Sequence, residues 1–200
     1  MLTFDEATHT YRIDGEVVPS VTHICRFLNY DVKSDREWLV KEAADRGARV
    51  HAATAAMDWG EEPEVEPDIA GYVQAYRRFL KDYQPEWQGI EVSLGTDGCG
   101  GFPFAGTIDR FGTVEGAATV LDIKTGSRVN LPYVEAQLVA YSALLWQNSI
   151  YSGPVARRCL KLNKDGTYQY IETADDSRTG AFEFCANLHD MLSQKGAYKA

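Results

Sequence analysis

Hydrophobic and polar positions change their period along the chain, and each change predicts an element. Thr10-Tyr-Arg-Ile alternates up to Asp14-Gly15, and Glu16-Val-Val18 resumes on the other side. An Asp-Gly pair between alternating segments predicts a small N-terminal hairpin, because it fills the two turn positions with residues that tolerate positive φ. Pro19 and Ser20 end that strand. Apolar residues from 21 to 28 then fall at helical spacing, with Ser20 or Thr22 at the helix N-terminus. Ser34-Asp-Arg-Glu37 fits a capping box and opens a long helix over roughly 35–58, on which Gly47 and His51 share a face. A Glu/Pro-rich loop covers 60–67. Ile69, Val73, Tyr76 and Leu80 then mark an amphipathic helix ending near Tyr83.

From Glu86 onward the spacing shortens to that of strands. Segments 90–94, 104–114 and 120–124 predict three sequential strands in an antiparallel meander, with a Gly-rich turn over 95–101. Pro132 suits a first helical turn, and Val134, Leu138, Tyr141 and Leu145 carry that helix to about Gln147. Strands at 156–162 and 168–171 flank a Lys-Asp-Gly turn, and a last helix follows from about 175 to 194. The order predicts one mixed α/β (α+β) domain over 1–200, with the hairpin and first helices in 1–85 and the sheet core and last helix in 86–200. A central mixed sheet flanked by helices is the expected architecture.

Composition narrows the function. With 44% hydrophobic and 24% charged residues, the 200-residue chain has the makeup of a folded protein rather than a disordered one. No segment reaches the roughly 20 apolar residues of a membrane helix, and Met1-Leu-Thr-Phe-Asp-Glu6 lacks the features of a signal peptide, so a cytoplasmic protein without membrane contact is expected. Cys25, Cys99, Cys159 and Cys185 form no C-x-x-C pair, which predicts reduced, buried thiols rather than a zinc knuckle or a disulfide framework. A net charge of −9 argues against broad adhesion to nucleic acid but leaves room for a local groove.

The candidate chemistry lies in the meander. Asp is disfavoured in strands, yet Asp109 and Asp122 stand on consecutive predicted strands beside Ile108, Leu121 and Ile123. Side chains alternate along a strand, so Asp122 and Lys124 share a face while Ile123 points to the core. Either carboxylate alone reads as a solvated residue. Together with the lysine they suit hydrolysis of a phosphodiester, where a carboxylate-held divalent cation offsets phosphoryl charge and supplies a nucleophile at neutral pH.

The ordered set Gly106-x-x-Asp109, Asp122-x-Lys124-Thr-Gly126 and Gln137-x-x-x-Tyr141 resembles the RecB-like branch of the PD-(D/E)XK nucleases. Gly47-Ala-Arg-Val-His51 matches that branch's histidine motif, and His9-Thr-Tyr with Val18-Pro-Ser-Val-Thr22 is similar to the opening of its phage-encoded and mitochondrial exonucleases. The resemblance implies a restriction-endonuclease-like core and a DNA exonuclease of phage or bacterial recombination, repair or replication, working with a single-strand annealing or recombination protein. The alternatives are a structure-specific endonuclease or nickase, and a DNA-binding protein that lost catalysis. It further implies that His51, Asp109, Asp122 and the backbone carbonyl of Ile123 hold Mg²⁺ or Mn²⁺, with Glu91 as a further acidic group beside the metal. Asp109, Asp122 and Lys124 form the implied catalytic set, Lys124 orienting or deprotonating the attacking water. Gln137 and Tyr141 are the implied DNA contacts. For Ser20 and Thr22, contact with a 5′ phosphate competes with helix capping. The cysteines do not reproduce the iron-sulfur ligands of some relatives, so no cluster is expected, and the absence of a G-x-x-x-x-G-K-[ST] motif predicts no helicase motor.

Overall fold

The computed structural model describes residues 1–29, 37–99, 102–173 and 179–194. The predicted hairpin is there and has a third strand: β1 (Leu2–Asp5), β2 (Thr10–Ile13) and β3 (Glu16–Val18) form an antiparallel sheet in that order. Strand β1 is only four residues long and too short to signal by alternation. Its partner explains it, since Phe4 lies opposite Tyr11 and the two rings stack with centroids 4.4 Å apart. Tyr11, Val18 and Ala105 form the small core that fastens this sheet to the main one.

Helix α1 (Val21–Cys25) runs into a 3-10 turn at Arg26–Leu28, and α2 (Glu37–Asp58) and α3 (Ala70–Tyr83) follow near their predicted places. Most of the predicted capping box, residues 34–36, lies outside the described residues. Next come β4 (Glu86–Cys99), β5 (Phe102–Val114), β6 (Ala117–Lys124), α4 (Leu131–Gln147), β7 (Ala156–Leu162), β8 (Tyr168–Glu172) and α5 (Thr179–Gln194). The turn expected over 95–101 is corrected: β4 continues through that stretch to Cys99, because β5 pairs with it as far as Cys99↔Phe102. Cross-strand bonding outweighs the local preference of glycine here. Helix α5 is described from Thr179, the stretch 174–178 ahead of it lying outside the described residues.

Five strands lie in the order β4-β5-β6-β7-β8, antiparallel except for the parallel pair β6–β7. A parallel pair needs a long crossover, and α4 provides it. One sheet face packs on α1, α4 and α5 through Ile24, Phe104, Ile108, Val120, Leu138 and Phe182. The opposite face packs on α2 and α3 through Val50, Tyr76, Phe79, Leu121, Ile123 and Leu160. Val120 and Leu121 therefore face opposite layers, as a strand covered on both sides requires. Cys25, Cys159 and Cys185 are buried free thiols, while the side chain of Cys99 lies outside those described. No helix among the described residues is long and apolar enough to cross a membrane.

Candidate active site

The site opens where two strands part. The β5–β6 ladder starts at Val114↔Ala117 and ends at Arg110↔Leu121, whereas β6 stays paired with β7 as far as Lys124↔Lys161. Beyond Arg110, β5 peels away and leaves backbone groups of β6 facing a gap. Asp109 fills it: its Oδ2 accepts the Ile123 N–H at 2.6 Å. The Ile123 carbonyl, the predicted backbone ligand, lies 3.2 Å from His51 Nε2.

His51 hangs from α2 over this gap. Its Nδ1 is 3.3 Å from Glu91 Oε1 and 3.6 Å from Asp109 Oδ1. Glu91 reaches the cluster by an unusual backbone path, a φ of 50° within β4. A left-handed residue in a strand costs on the order of 1–3 kcal/mol, and such strain persists only where surrounding contacts impose it. Arg110 supplies those contacts. Fully buried, it donates to Glu91 Oε1 at 2.9 Å, to Asp58 Oδ2 at 2.5 Å, to Thr54 Oγ1 at 3.1 Å and to the Asp109 carbonyl at 2.6 Å. Asp58 also accepts from the Tyr76 hydroxyl at 2.6 Å. Sequence reasoning missed this Arg110–Asp58 support. Its only trace was a strand bearing adjacent charges, Asp109 and Arg110.

The second arm is built by β6 and α4. Lys124 Nζ donates to Asp122 Oδ1 at 3.0 Å and to Gln137 Oε1 at 3.2 Å, and Gln137 Nε2 donates to Thr22 Oγ1 at 3.2 Å. Both ends of the Gln137 carboxamide are thus engaged inside the protein. Tyr141, one turn further along α4 and 5% exposed, packs against Gly106. A Cβ on Gly106 would approach the Tyr141 ring to 2.9 Å and Val21 to 3.0 Å, so the glycine and the tyrosine two elements away are one packing solution. Ser20 caps α1, its Oγ accepting the His23 N–H at 3.0 Å, so the capping reading of this residue describes the structure.

Electrostatics tie the arms together. Burial, then the neighbouring Asp122 and Glu91 charges, push the Asp109 carboxyl up to about 6. Burial opposes a charged His51, but Asp109 and Glu91 outweigh it and raise the imidazole to about 9. Burial likewise opposes the Lys124 ammonium, and Asp122 and Asp109 prevail, holding it well above its ordinary value. Glu91 is drawn below its usual range against the effect of burial by His51 and Arg110.

These groups suit a hard divalent cation. Among the described residues, His51, Glu91 and Asp109 offer ligand atoms that all lie within 4.8 Å of one another. Asp122 is 2% exposed, and its Oδ2 pairs with the Lys124 ammonium at 2.8 Å. Carboxylates gathered with one imidazole fit Mg²⁺ or Mn²⁺. All four residues, with Lys124, Gln137 and Tyr141, line a single cleft of about 1010 Å³. A second cavity, of about 750 Å³ beside Trp146, holds none of the predicted ligands.

A profile of the PD-(D/E)XK nuclease superfamily matches residues 26–195. The chain belongs to this superfamily. Among solved structures, this PD-(D/E)XK chain is similar to one named as a candidate exonuclease from Eubacterium rectale, with 10% identity and a TM-score of 0.53 over 77% of this chain and 69% of that one. The structure named SSO0001 matches at 19% identity and a TM-score of 0.42 over 88% of this chain and 75% of that one. No curated protein matches. At such identity the first structure shows the fold alone, and the nuclease fold it shares is the mixed sheet with flanking helices described above.

Proposed function

We propose that this PD-(D/E)XK protein is a divalent-metal-dependent deoxyribonuclease that removes nucleotides from DNA ends, in phage or bacterial DNA recombination, repair or replication. The observation that carries the reading is the convergence of His51, Glu91 and Asp109 with the buried Asp122–Lys124 pair in one cleft. His51, Glu91, Asp109, Asp122 and the Ile123 carbonyl are the groups that would hold the metal. A bound Mg²⁺ or Mn²⁺ would neutralise phosphoryl charge and lower the pKa of a coordinated water. Lys124, kept protonated by Asp122 and steered by Gln137, hydrogen-bonds the water and the scissile phosphate and offsets charge developing on the phosphoryl oxygens. Arg110 and Asp58 position Glu91 without touching DNA. The exonuclease mode is supported by the motif set that resembles phage-type exonucleases and by the name of the Eubacterium rectale structure.

A gel time course on end-labelled linear and closed circular DNA with Mg²⁺, Mn²⁺ or EDTA tests this. Metal-dependent loss of linear DNA by the wild type, abolished in folded Lys124→Ala and Asp122→Asn, is expected. Cutting of circles would replace exonuclease with endonuclease, and metal binding without cleavage of any substrate would replace both with a DNA-binding protein.

A further inference from the structure

We infer that the cleft carries an aromatic subsite for unpaired nucleobases, formed by Trp59 together with Phe4 and His9 of the same lining. The inference rests on the nuclease reading and adds how the substrate is gripped. Trp59 is 60% exposed yet lines the same cleft as His51 and Asp122. Its position is fixed. Helix α2 ends at it with the Gly60 N–H bonded to the Met57 carbonyl at 3.0 Å and the Glu61 N–H to the Ala56 carbonyl at 2.9 Å. Gly60 takes the left-handed φ of 81° that this capping arrangement requires. A large apolar ring is thus held in solvent at the mouth of a polar site. In the same lining Phe4 is backed by the buried Tyr11 ring stacked on it, and exposed His9 meets Phe4 edge-on with centroids 5.3 Å apart.

Charge selects the occupant. Among the described residues lining the cleft only Arg26 and Lys124 are fixed cations, against Glu6, Glu91, Asp109 and Asp122, and Lys124 is paired with Asp122. Holding either form by its phosphates needs several Lys and Arg, which the described lining does not offer, so the grip falls to the bases. Unpaired bases bring free π-faces that aromatic side chains grip whatever the sequence. In a duplex those faces are already stacked on each other. The subsite therefore fits a single-stranded segment next to the scissile phosphate.

The test is fluorescence anisotropy in EDTA, so that binding is read without turnover. The probes are a fluorescein-labelled single-stranded oligonucleotide, the same backbone with every base removed, and a blunt duplex of equal length. Trp59→Ala is expected to weaken binding of the single strand by about 5- to 150-fold. Trp59→Phe should restore most of it. Trp146→Ala, at an equally exposed tryptophan in the other cavity, should bind as wild type. The base-free backbone and the duplex should bind the wild type more weakly than the single strand. Equal binding of the base-free and normal strands, or wild-type affinity in Trp59→Ala, would overturn the subsite. Failure of the nuclease reading shows instead as absence of cleavage in the time course above, whatever these affinities are.

Discussion

The two arms of the site achieve the same placement of carboxylates by different means. On the β6/α4 arm, Asp122, Lys124 and Gln137 are set by regular strand and helix periodicity, and Lys124 reaches its partners with 27% of its side chain exposed. On the α2/β4 arm, His51 and Glu91 come from elements distant in sequence, and Glu91 is held in a left-handed conformation by an arginine with no exposed surface. The first arm is set by local periodicity, the second by tertiary contacts through a buried arginine. Mutations should therefore separate activity from stability according to the arm they touch.

Arg110→Met gives the largest expected effect of this kind. It leaves Asp58 and Glu91 without their shared cation, and removal of one partner from a buried ionic network costs about 3–5 kcal/mol. For a chain of this size the melting temperature should fall by on the order of 10 °C. Lys124→Ala, by contrast, should melt within a few degrees of wild type while losing turnover. Thermal unfolding of the two variants side by side checks this, and equal destabilisation would erase the distinction between the arms.

Glu91→Gln probes the α2/β4 arm without breaking it, because the amide oxygen can still accept from Arg110. Only the negative charge is lost. Isothermal titration with Mn²⁺ should then show an affinity lower by roughly 10- to 100-fold, the usual cost of disturbing a metal's immediate surroundings. An unchanged affinity would remove Glu91 from the ligand set and leave His51, Asp109 and Asp122 alone.

The same contrast explains what the sequence made legible. The meander, the crossover helix and the facing of Asp122 with Lys124 follow from periods of two and of 3.6, which a single chain displays directly. His51 was marked only through motif spacing, and Asp109 by that spacing and by being a carboxylate in a predicted strand, since nothing local shows that β5 leaves β6 at Arg110 or that α2 lies over the gap. Arg110 and Asp58 were invisible: a charged residue in a strand looks solvated until the helix that buries it is placed. Strand β1 and the length of β4 were missed because pairing, rather than local preference, decides them. Gly106 was read as part of a motif, and its reason, the Tyr141 ring against it, is tertiary.

Gln137 separates two roles on the β6/α4 arm. Its carboxamide bridges Lys124 and Thr22, which makes it a positioning residue for the lysine. Gln137→Leu should lower kcat about tenfold, the worth of one charge-assisted hydrogen bond, with little change in KM. A rise in KM at constant kcat would assign Gln137 to direct contact with DNA.

The smallest effect concerns pH in the metal-free protein. Asp109 and His51 both hold a proton more tightly folded than unfolded, at about 6 and about 9. For a raised pKa the stabilisation is full below the unfolded value and lost as pH climbs through the folded one. His51 should therefore cost the metal-free fold stability between its unfolded value of about 6.5 and pH 9. In EDTA the melting temperature should decline by a few degrees across that window, and His51→Asn should flatten the decline. Mn²⁺ should reverse the trend, because ligation needs the neutral imidazole and so strengthens as protons leave. A metal-free melting temperature that rises across the window, or a decline that survives His51→Asn, would mean that His51 does not carry the extra proton between Glu91 and Asp109.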